Sequence, residues 1–252
     1  IRDSVASRGL GDVYKRQEID LSLPTNSGIT MLGNTTMSLN GNNGKDIFDI
    51  NTLSTFNLLN WAKKAGAQKF IYSSTANVYE PTSETLTEIS MVKPMSLYAA
   101  SKASAEIFVG QFSRDFHTSI LRVFTVYGPM QKNMLIAQMI ERLQNSDEIS
   151  LAGGQGIFLT PLYISDAAQL MLQLLDSFDY ESGDVFNLCG SQKTSLAEIV
   201  SILAQILEVK PNLLITDGTP SSLIGSPKKI LELLNYSNLT SLQAGLEFSV
   251  HG

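Results

Sequence analysis

Apolar and polar positions follow two periods along the chain, and these predict helices and strands in alternation. Residues 46–65 carry apolar side chains every three or four positions and end in two lysines, which predicts a helix. The short apolar run 69–73 has the composition of a buried parallel strand. An alanine-rich helix over about 96–116 and a strand over 119–126 follow. Because strand, helix and strand in this order need crossover connections, the pattern predicts an α/β fold with a doubly wound parallel sheet.

The second half continues the alternation with shorter elements. The pattern predicts helices over 133–145, 165–176, 195–207 and 227–234, and strands over 148–151, 185–188 and 212–216. The glycines at 153, 154 and 156 predict a turn. We interpret residues from about 130 to 252 as contributing most of a smaller C-terminal lobe.

The first residues differ in character from the rest. Residues 1–17 lack periodicity and carry four basic residues in an otherwise acidic chain, and they resemble translated adapter sequence. We therefore interpret them as a non-native leader and leave them out of the fold prediction. Residues 18–45, rich in Asn, Thr, Ser and Gly, are expected to form an irregular junction, and the domain proper is expected over 46–252.

Composition narrows the class of partner. The chain has 252 residues and a formal net charge of −6, and its basic residues form no cluster, which excludes nucleic acid and anionic membranes as expected partners. No apolar run approaches the roughly 20 residues of a membrane span. The single cysteine, Cys189, lies in an apolar run, so it is expected to be buried and unable to form an internal disulfide. These features predict a soluble, cytoplasmic protein that acts on a small molecule.

A tyrosine and a lysine carry the candidate chemistry. Tyr98 and Lys102 are four residues apart, so a helix places them on one face. A lysine charge favours the phenolate and is expected to lower the tyrosine pKa from its usual value near 10. A tyrosine of this kind can accept the proton of an alcohol that loses a hydride. Spacing alone is also compatible with an ordinary solvated helix face.

The surrounding motifs resemble those of one enzyme family. Within residues 70–79, a strand ends in Ser73, Ser74 and Thr75 and is followed by a Val-Tyr pair. The Tyr-x-x-x-Lys helix follows about twenty residues later. Residues 49–59 and 121–129 resemble the helix and the strand that flank these motifs. Together they resemble the NAD-dependent epimerase/dehydratase family, the extended short-chain dehydrogenase/reductases, over about 46–248. This resemblance implies a Rossmann-like fold whose C-terminal lobe covers the substrate.

The resemblance also implies roles for individual residues. Tyr98 is expected to be the acid and base, Lys102 to lower its pKa and hold the nicotinamide ribose, and Thr75 to orient the substrate alcohol. The residues expected to contact the cofactor, NAD or NADP with NAD favoured, are Asn51, Ser73, Ser74, Tyr98, Lys102 and Phe124. The residues expected to contact the substrate are Thr75, Thr125 and Asn133. No metal is expected, and the family implies a homodimer.

Departures from the family pattern bear on the reaction. Dehydratases of the family carry an Asp-Glu pair after the catalytic threonine, whereas this chain has Ala76 and Asn77, which disfavours dehydration. Thr125 resembles the residue of 4-epimerases that act on uronic acids. Leu159 and Thr219 stand where the family has diphosphate-binding arginines, which weakens the nucleotide part of the substrate prediction. We expect a nucleotide-sugar epimerase, with a carbonyl or keto-sugar reductase and a noncatalytic binding member as alternatives.

The glycine-rich fingerprint of a dinucleotide site does not follow any predicted strand. Such a turn would hold the cofactor pyrophosphate at a helix N-terminus. The sequence therefore predicts that the segment with this turn is missing, that the sheet is incomplete at its N-terminus, and that this chain alone binds dinucleotide poorly and is inactive.

Overall fold

A computed structural model of the chain describes residues 29–31 and 44–252. The interpreted leader, 1–17, lies outside the described residues. Most of the interpreted junction does so as well, but it contains one described strand, β1 (Ile29–Met31). This strand pairs in parallel with β2 (Lys69–Thr75), with Ile29 opposite Phe70. Part of the stretch that was expected to be irregular is thus a strand of the sheet.

The chain divides into two compact units. The first comprises the described residues up to Val78 together with Val92–Leu121 and Tyr180–Val185, and the second comprises Tyr79–Met91, Arg122–Asp179 and Phe186–Gly252. A four-stranded sheet has the order β1-β2-β3-β8. Its last two strands are β3 (His117–Val123) and β8 (Asp184–Leu188).

Helices of the first unit follow the predicted order with one change. The expected helix over 46–65 consists of α1 (Gly44–Phe48), a π-helical turn (Asp49–Leu53) and α2 (Ser54–Lys64). After β2 comes a 3₁₀ turn (Ala76–Val78), and later α3 (Leu97–Gln111), whose last turn continues as a 3₁₀ turn over 112–114. The core of this unit is apolar and aromatic and contains Leu59, Ala62, Phe70, Tyr72, Ala105, Val109, Phe116 and Ile120.

The second unit is built from short strands and amphipathic helices. Its helices are α4 (Leu135–Asn145), α5 (Ile164–Asp176), α6 (Leu196–Ile206), α7 (Lys228–Leu233) and α8 (Leu242–His251). Its strands are β4 (Val126–Tyr127), β5 (Glu148–Ala152), β6 (Phe158–Leu159), β7 (Leu162–Tyr163), β9 (Thr194–Ser195), β10 (Asn212–Thr216) and β11 (Ser222–Leu223). The pairs β10-β5, β11-β6 and β4-β7 are parallel, and β6-β9 is antiparallel. The predicted α/β fold with parallel strands is confirmed.

The backbone at Gly190 lies very close to the backbone of residues 160–161 in the second unit. Its amide donates to the Thr160 carbonyl oxygen at 3.0 Å. A Cβ atom added at Gly190 would lie 2.0 Å from the Pro161 carbonyl oxygen. Since the obstructing atom belongs to the backbone, no side-chain rotation can relieve the contact, and only glycine fits here.

The described residues form neither a membrane-spanning helix nor a metal site of three or more ligands. Among the described residues, no helix is both long and apolar enough to traverse a lipid bilayer. In the same part of the chain, no three His, Cys, Asp or Glu side chains are grouped so that they could hold a metal ion.

Candidate active site

The predicted catalytic residues lie on two neighbouring elements of the first unit. Thr75 is the last residue of β2, at the carboxyl end where ligands of open α/β sheets bind. Helix α3 begins after Ser96, whose hydroxyl accepts a hydrogen bond from the Ala99 amide and caps the helix. This cap sets the start of the helix, so Tyr98 lies in its first turn and Lys102 one turn later.

The Thr75 hydroxyl lies near enough to the Tyr98 phenol to affect its ionisation. Burial raises the pKa of the Tyr98 phenol above its ordinary value, and the Thr75 hydroxyl opposes this increase without cancelling it. The sequence predicted that Lys102 lowers this pKa below its usual value, whereas the pKa is raised in the chain without ligands. Burial is the larger cause, because a phenolate in the interior loses hydration.

Lys102 is enclosed by the protein. The residue is 1% exposed, and its Nζ atom donates to the Ser73 carbonyl oxygen at 2.8 Å and lies 5.0 Å from the centre of the Tyr72 ring. Burial lowers the Lys102 pKa to about 8, and the negative charge of Glu106 opposes this decrease. The ammonium therefore remains mostly protonated at neutral pH despite its burial.

Ser74 and Glu106 form a second buried pair beside the first. The Ser74 hydroxyl donates to the Glu106 Oε1 atom at 2.5 Å. Glu106 was not predicted to be a site residue, although the sequence carries a signal for it. It follows Lys102 by four residues, as Lys102 follows Tyr98, so the helix period alone places it one turn further along the same side of α3.

Asn51 lies in the π-helical turn and bonds to α3. Its Nδ2 atom donates to the Ser101 hydroxyl at 3.0 Å, and the neighbouring Thr52 hydroxyl donates to the Ser101 carbonyl oxygen at the same distance. These bonds fix the turn against the helix that carries Tyr98 and Lys102. Asn51 is buried, so its predicted contact with the cofactor stays a prediction.

The remaining predicted site residues belong to the second unit. Phe124 is buried there, with its ring centre 6.2 Å from that of Tyr79. The Thr125 carbonyl oxygen accepts from the Leu162 amide at 2.8 Å. Asn133 is exposed and has a left-handed backbone just before α4. The structure thus brings Ser73, Ser74, Thr75, Tyr98 and Lys102 together within one unit.

Leu159 also belongs to the second unit, and its surroundings explain why it is apolar. The residue is 1% exposed and forms part of the core cluster of that unit. The same cluster contains Leu151 and Leu196. The apolar side chain at this position is therefore closely packed by other apolar side chains.

Cys189 is buried, as the sequence predicted, and burial raises the pKa of its thiol to about 12. A thiol in this state is not a nucleophile at neutral pH.

The residues of the first unit suit the nicotinamide end of a dinucleotide. A half-buried phenol, a mostly protonated ammonium and a threonine hydroxyl at the end of a parallel strand are donors of the kind that bind a ribose diol and an alcohol. Tyr98 and Lys102 would hold the ribose, and Thr75 would hold the substrate oxygen.

Comparison with known proteins places these features in a family. The model of the NAD dependent epimerase/dehydratase family matches residues 28–189. The chain is 28% identical over 195 residues to an uncharacterized UDP-glucose epimerase, YtcB, of Bacillus subtilis, covering 75% of this chain and 61% of that protein. It is 31% identical over 163 residues to the dTDP-D-glucose 4,6-dehydratase of Mus musculus, covering 63% of this chain and 45% of that enzyme.

A solved structure of an epimerase is also similar to this chain. The UDP-glucuronic acid 4-epimerase of Bacillus cereus in complex with NAD matches with a TM-score of 0.75 and 28% identity, covering 84% of this chain and 68% of that one. The predicted Rossmann-like fold is thereby confirmed. The chain spans less than two thirds of the length of the two curated relatives above. By its family match and its fold, the chain belongs to the NAD-dependent epimerase/dehydratase family.

Proposed function

We propose that this chain carries the catalytic residues of an NAD-dependent epimerase that acts on a nucleotide sugar. The observation that supports this most directly is the Lys102 ammonium, buried and bonded to the Ser73 carbonyl oxygen at 2.8 Å, at the end of β2 where the Thr75 hydroxyl lies near the Tyr98 phenol. Together they provide a proton-transfer group, a group that orients the substrate oxygen, and a fixed positive charge.

Each residue has a distinct task in this proposal. Thr75 binds the substrate hydroxyl and orients its proton toward the phenol oxygen of Tyr98. Tyr98 takes that proton when the alcohol is oxidised and returns it when the keto sugar is reduced on its other face. Lys102 holds the ribose and favours the phenolate. NAD, when bound, would supply the hydride acceptor and donor, and its positive ring would favour the phenolate further.

Epimerisation is favoured over dehydration by the residues after Thr75. Elimination of water needs an acid and a base beside the sugar carbons. Ala76 is buried and apolar, and Asn77 carries an amide, so neither position supplies a carboxyl group. The likeness to a UDP-glucuronic acid 4-epimerase supports a uridine diphosphate sugar as substrate.

The test is a product analysis with the complete reading frame that encodes this chain. The protein is incubated with NAD and either UDP-glucose or UDP-glucuronic acid, and proton NMR follows the anomeric signals. We expect conversion to the 4-epimer without net consumption of NAD. Formation of a 4-keto-6-deoxy sugar would contradict the proposal in favour of dehydration. Net oxidation of NADH or NADPH with a ketone would favour the reductase, and no turnover would favour a binding protein.

We propose a cytoplasmic location, because the single cysteine is buried and forms no disulfide.

We propose a second copy of the chain as partner. The helices of the first unit expose several large apolar side chains: Phe48, Leu53, Phe56, Leu97 and Ile107. Exposed apolar groups of this number on neighbouring helices are typical of an interface.

Replacing Ile107 by glutamate is expected to convert a dimer to a monomer, because Ile107 is 66% exposed and a charge there would be buried on association. Light scattering coupled to size exclusion measures the mass. Leu172→Glu is the matched control, since Leu172 is 59% exposed on α5 of the second unit. A parent protein that is monomeric at all concentrations would contradict the proposed dimer.

A further inference from the structure

Three residues recur every four positions along α3: Tyr98, Lys102 and Glu106. The first two belong to the proposed reaction, whereas Glu106 touches neither of the proposed ligands in that scheme. It is nevertheless 8% exposed, and glutamate is almost never buried to this extent without a partner. Its burial therefore calls for a function in the cluster.

We propose that Glu106 is a positioning residue that keeps the Lys102 ammonium charged and in place for catalysis. The inference rests on the proposed function for its consequence on turnover, while the interaction itself can be measured without substrate or cofactor.

Strand β2 contacts Glu106 through a hydrogen bond. The Ser74 hydroxyl, on β2, donates to Oε1 at 2.5 Å. The carbonyl oxygen of the preceding residue, Ser73, accepts from Lys102 Nζ at 2.8 Å. Two consecutive strand residues thus bind the carboxylate and the ammonium, which fixes one helix turn of α3 against the end of β2.

The electrostatics require such a partner. Burial in a medium of low polarity favours the neutral amine, and the Lys102 pKa is about 8 as a result. Glu106 raises that pKa, so without this carboxylate the value would be lower still. A neutral amine can neither favour a phenolate nor provide the charge that the proposed reaction needs.

Among the described residues, the other titratable groups near this pair do not replace Glu106. Tyr72 faces Lys102 from β2, but burial and the Glu106 charge raise its pKa, so it stays a neutral phenol. Tyr98 is neutral as well. Lys69, also on β2, lies over the Tyr180 ring. The charged residues of the helices and turns packed against α3 are partly or fully exposed: Lys45, Asp46, Asp49, Lys63, Lys64 and Arg114.

The test measures the Lys102 pKa directly in the purified chain. Lysine labelled with ¹³C at Cε is incorporated, and the Lys102 signal is assigned by its loss in Lys102→Met. Glu106→Gln keeps the shape of the side chain and an acceptor for Ser74 but removes the charge. We expect the Lys102 pKa to fall by about one unit or more. Glu141→Gln, which removes one exposed charge from α4, should leave it unchanged.

Stability gives a second readout without any ligand. The attraction between Glu106 and Lys102 is fully present while Lys102 is charged and is lost as the pH rises through its pKa of about 8. Glu106→Gln should therefore destabilise the chain more at about pH 7 than at about pH 10 in urea unfolding. A residue that only fills space would give the same loss at both.

Glu106→Asp covers the case in which the glutamine variant does not fold. It keeps the charge but withdraws it by one methylene group, so a smaller fall in the Lys102 pKa is expected. A Lys102 pKa that is unchanged in every folded Glu106 variant would overturn the proposal. If the pKa falls but no nucleotide sugar is converted by the parent protein, the electrostatic pair stands and the proposed function fails.

In an active parent protein, the alkaline limb of kcat/KM against pH should move to lower pH in Glu106→Gln and stay in place in Glu141→Gln. An unmoved limb alongside a lowered Lys102 pKa would show that the Lys102 charge does not limit turnover, which contradicts the catalytic part of the proposal.

Discussion

Replacing Tyr98 by phenylalanine is expected to lower kcat by about 10²–10⁴-fold in the complete protein, the range typical of a lost acid-base group. The reason is that the hydroxyl of Tyr98 is the proton-transfer group of the proposed reaction, and Ala76 and Asn77, which follow Thr75, carry no acid that could replace it. The measurement is the initial rate of 4-epimerisation followed by NMR, at saturating substrate and NAD.

Folding should survive this substitution, because phenylalanine retains the ring and removes only a hydroxyl that is half-buried. Tyr163→Phe is the matched control. That ring contacts Tyr127 and Phe248 in the second unit, and its variant should keep the parent rate. A Tyr98→Phe protein with the rate of the parent would show that the proton moves through another group, and the assignment of the triad would then be abandoned.

Replacing Gly190 by alanine is expected to lower the free energy of unfolding by about 3 kcal/mol, the upper end of the range for inserting atoms into a packed interior. The added methyl group would meet the Pro161 carbonyl oxygen at 2.0 Å, and the backbone at Gly190 or that of residues 160–161 would have to move. Urea unfolding followed by circular dichroism measures the change.

Gly110 provides the opposite case in the same protein. It lies inside α3, and no atom lies within 4 Å of a Cβ added there. Gly110→Ala should therefore raise the free energy of unfolding by about 0.5–1 kcal/mol, since alanine restricts the unfolded chain and favours a helix. If Gly190→Ala is as stable as the parent, the close approach of these two segments is not a feature of the folded protein.

The elements with strong periodicity could be predicted from the sequence. Strand β10 lies over the predicted residues, and α4 and α6 end within a residue of their predicted ends. The hydroxyls of Thr75 and Tyr98 and the ammonium of Lys102 come together as the motifs indicated, because a strand end and a capped first helix turn are local features that the sequence encodes.

Features that depend on distant contacts could not be predicted in this way. The two-residue strands β6 and β9 pair with each other across more than thirty residues, and neither has a periodicity of its own. The sequence predicts ordinary helix for the π-helical turn, because the apolar spacing of the two is similar. The bonds that fix the turn go to Ser101 in α3, which is distant in sequence. The direction of the Tyr98 pKa depends on how deeply the fold buries the phenol, which no spacing reveals.

The packing around Leu159 restricts where this protein can place a substrate-binding cation. An arginine at this position would carry an unpaired guanidinium into the cluster that contains Leu151 and Leu196, at a cost of several kcal/mol. That cost is a large part of the stability of a typical domain. A single substitution therefore cannot add a phosphate-binding cation here, and an engineered clamp would have to be placed elsewhere or accompanied by changes in the neighbouring residues.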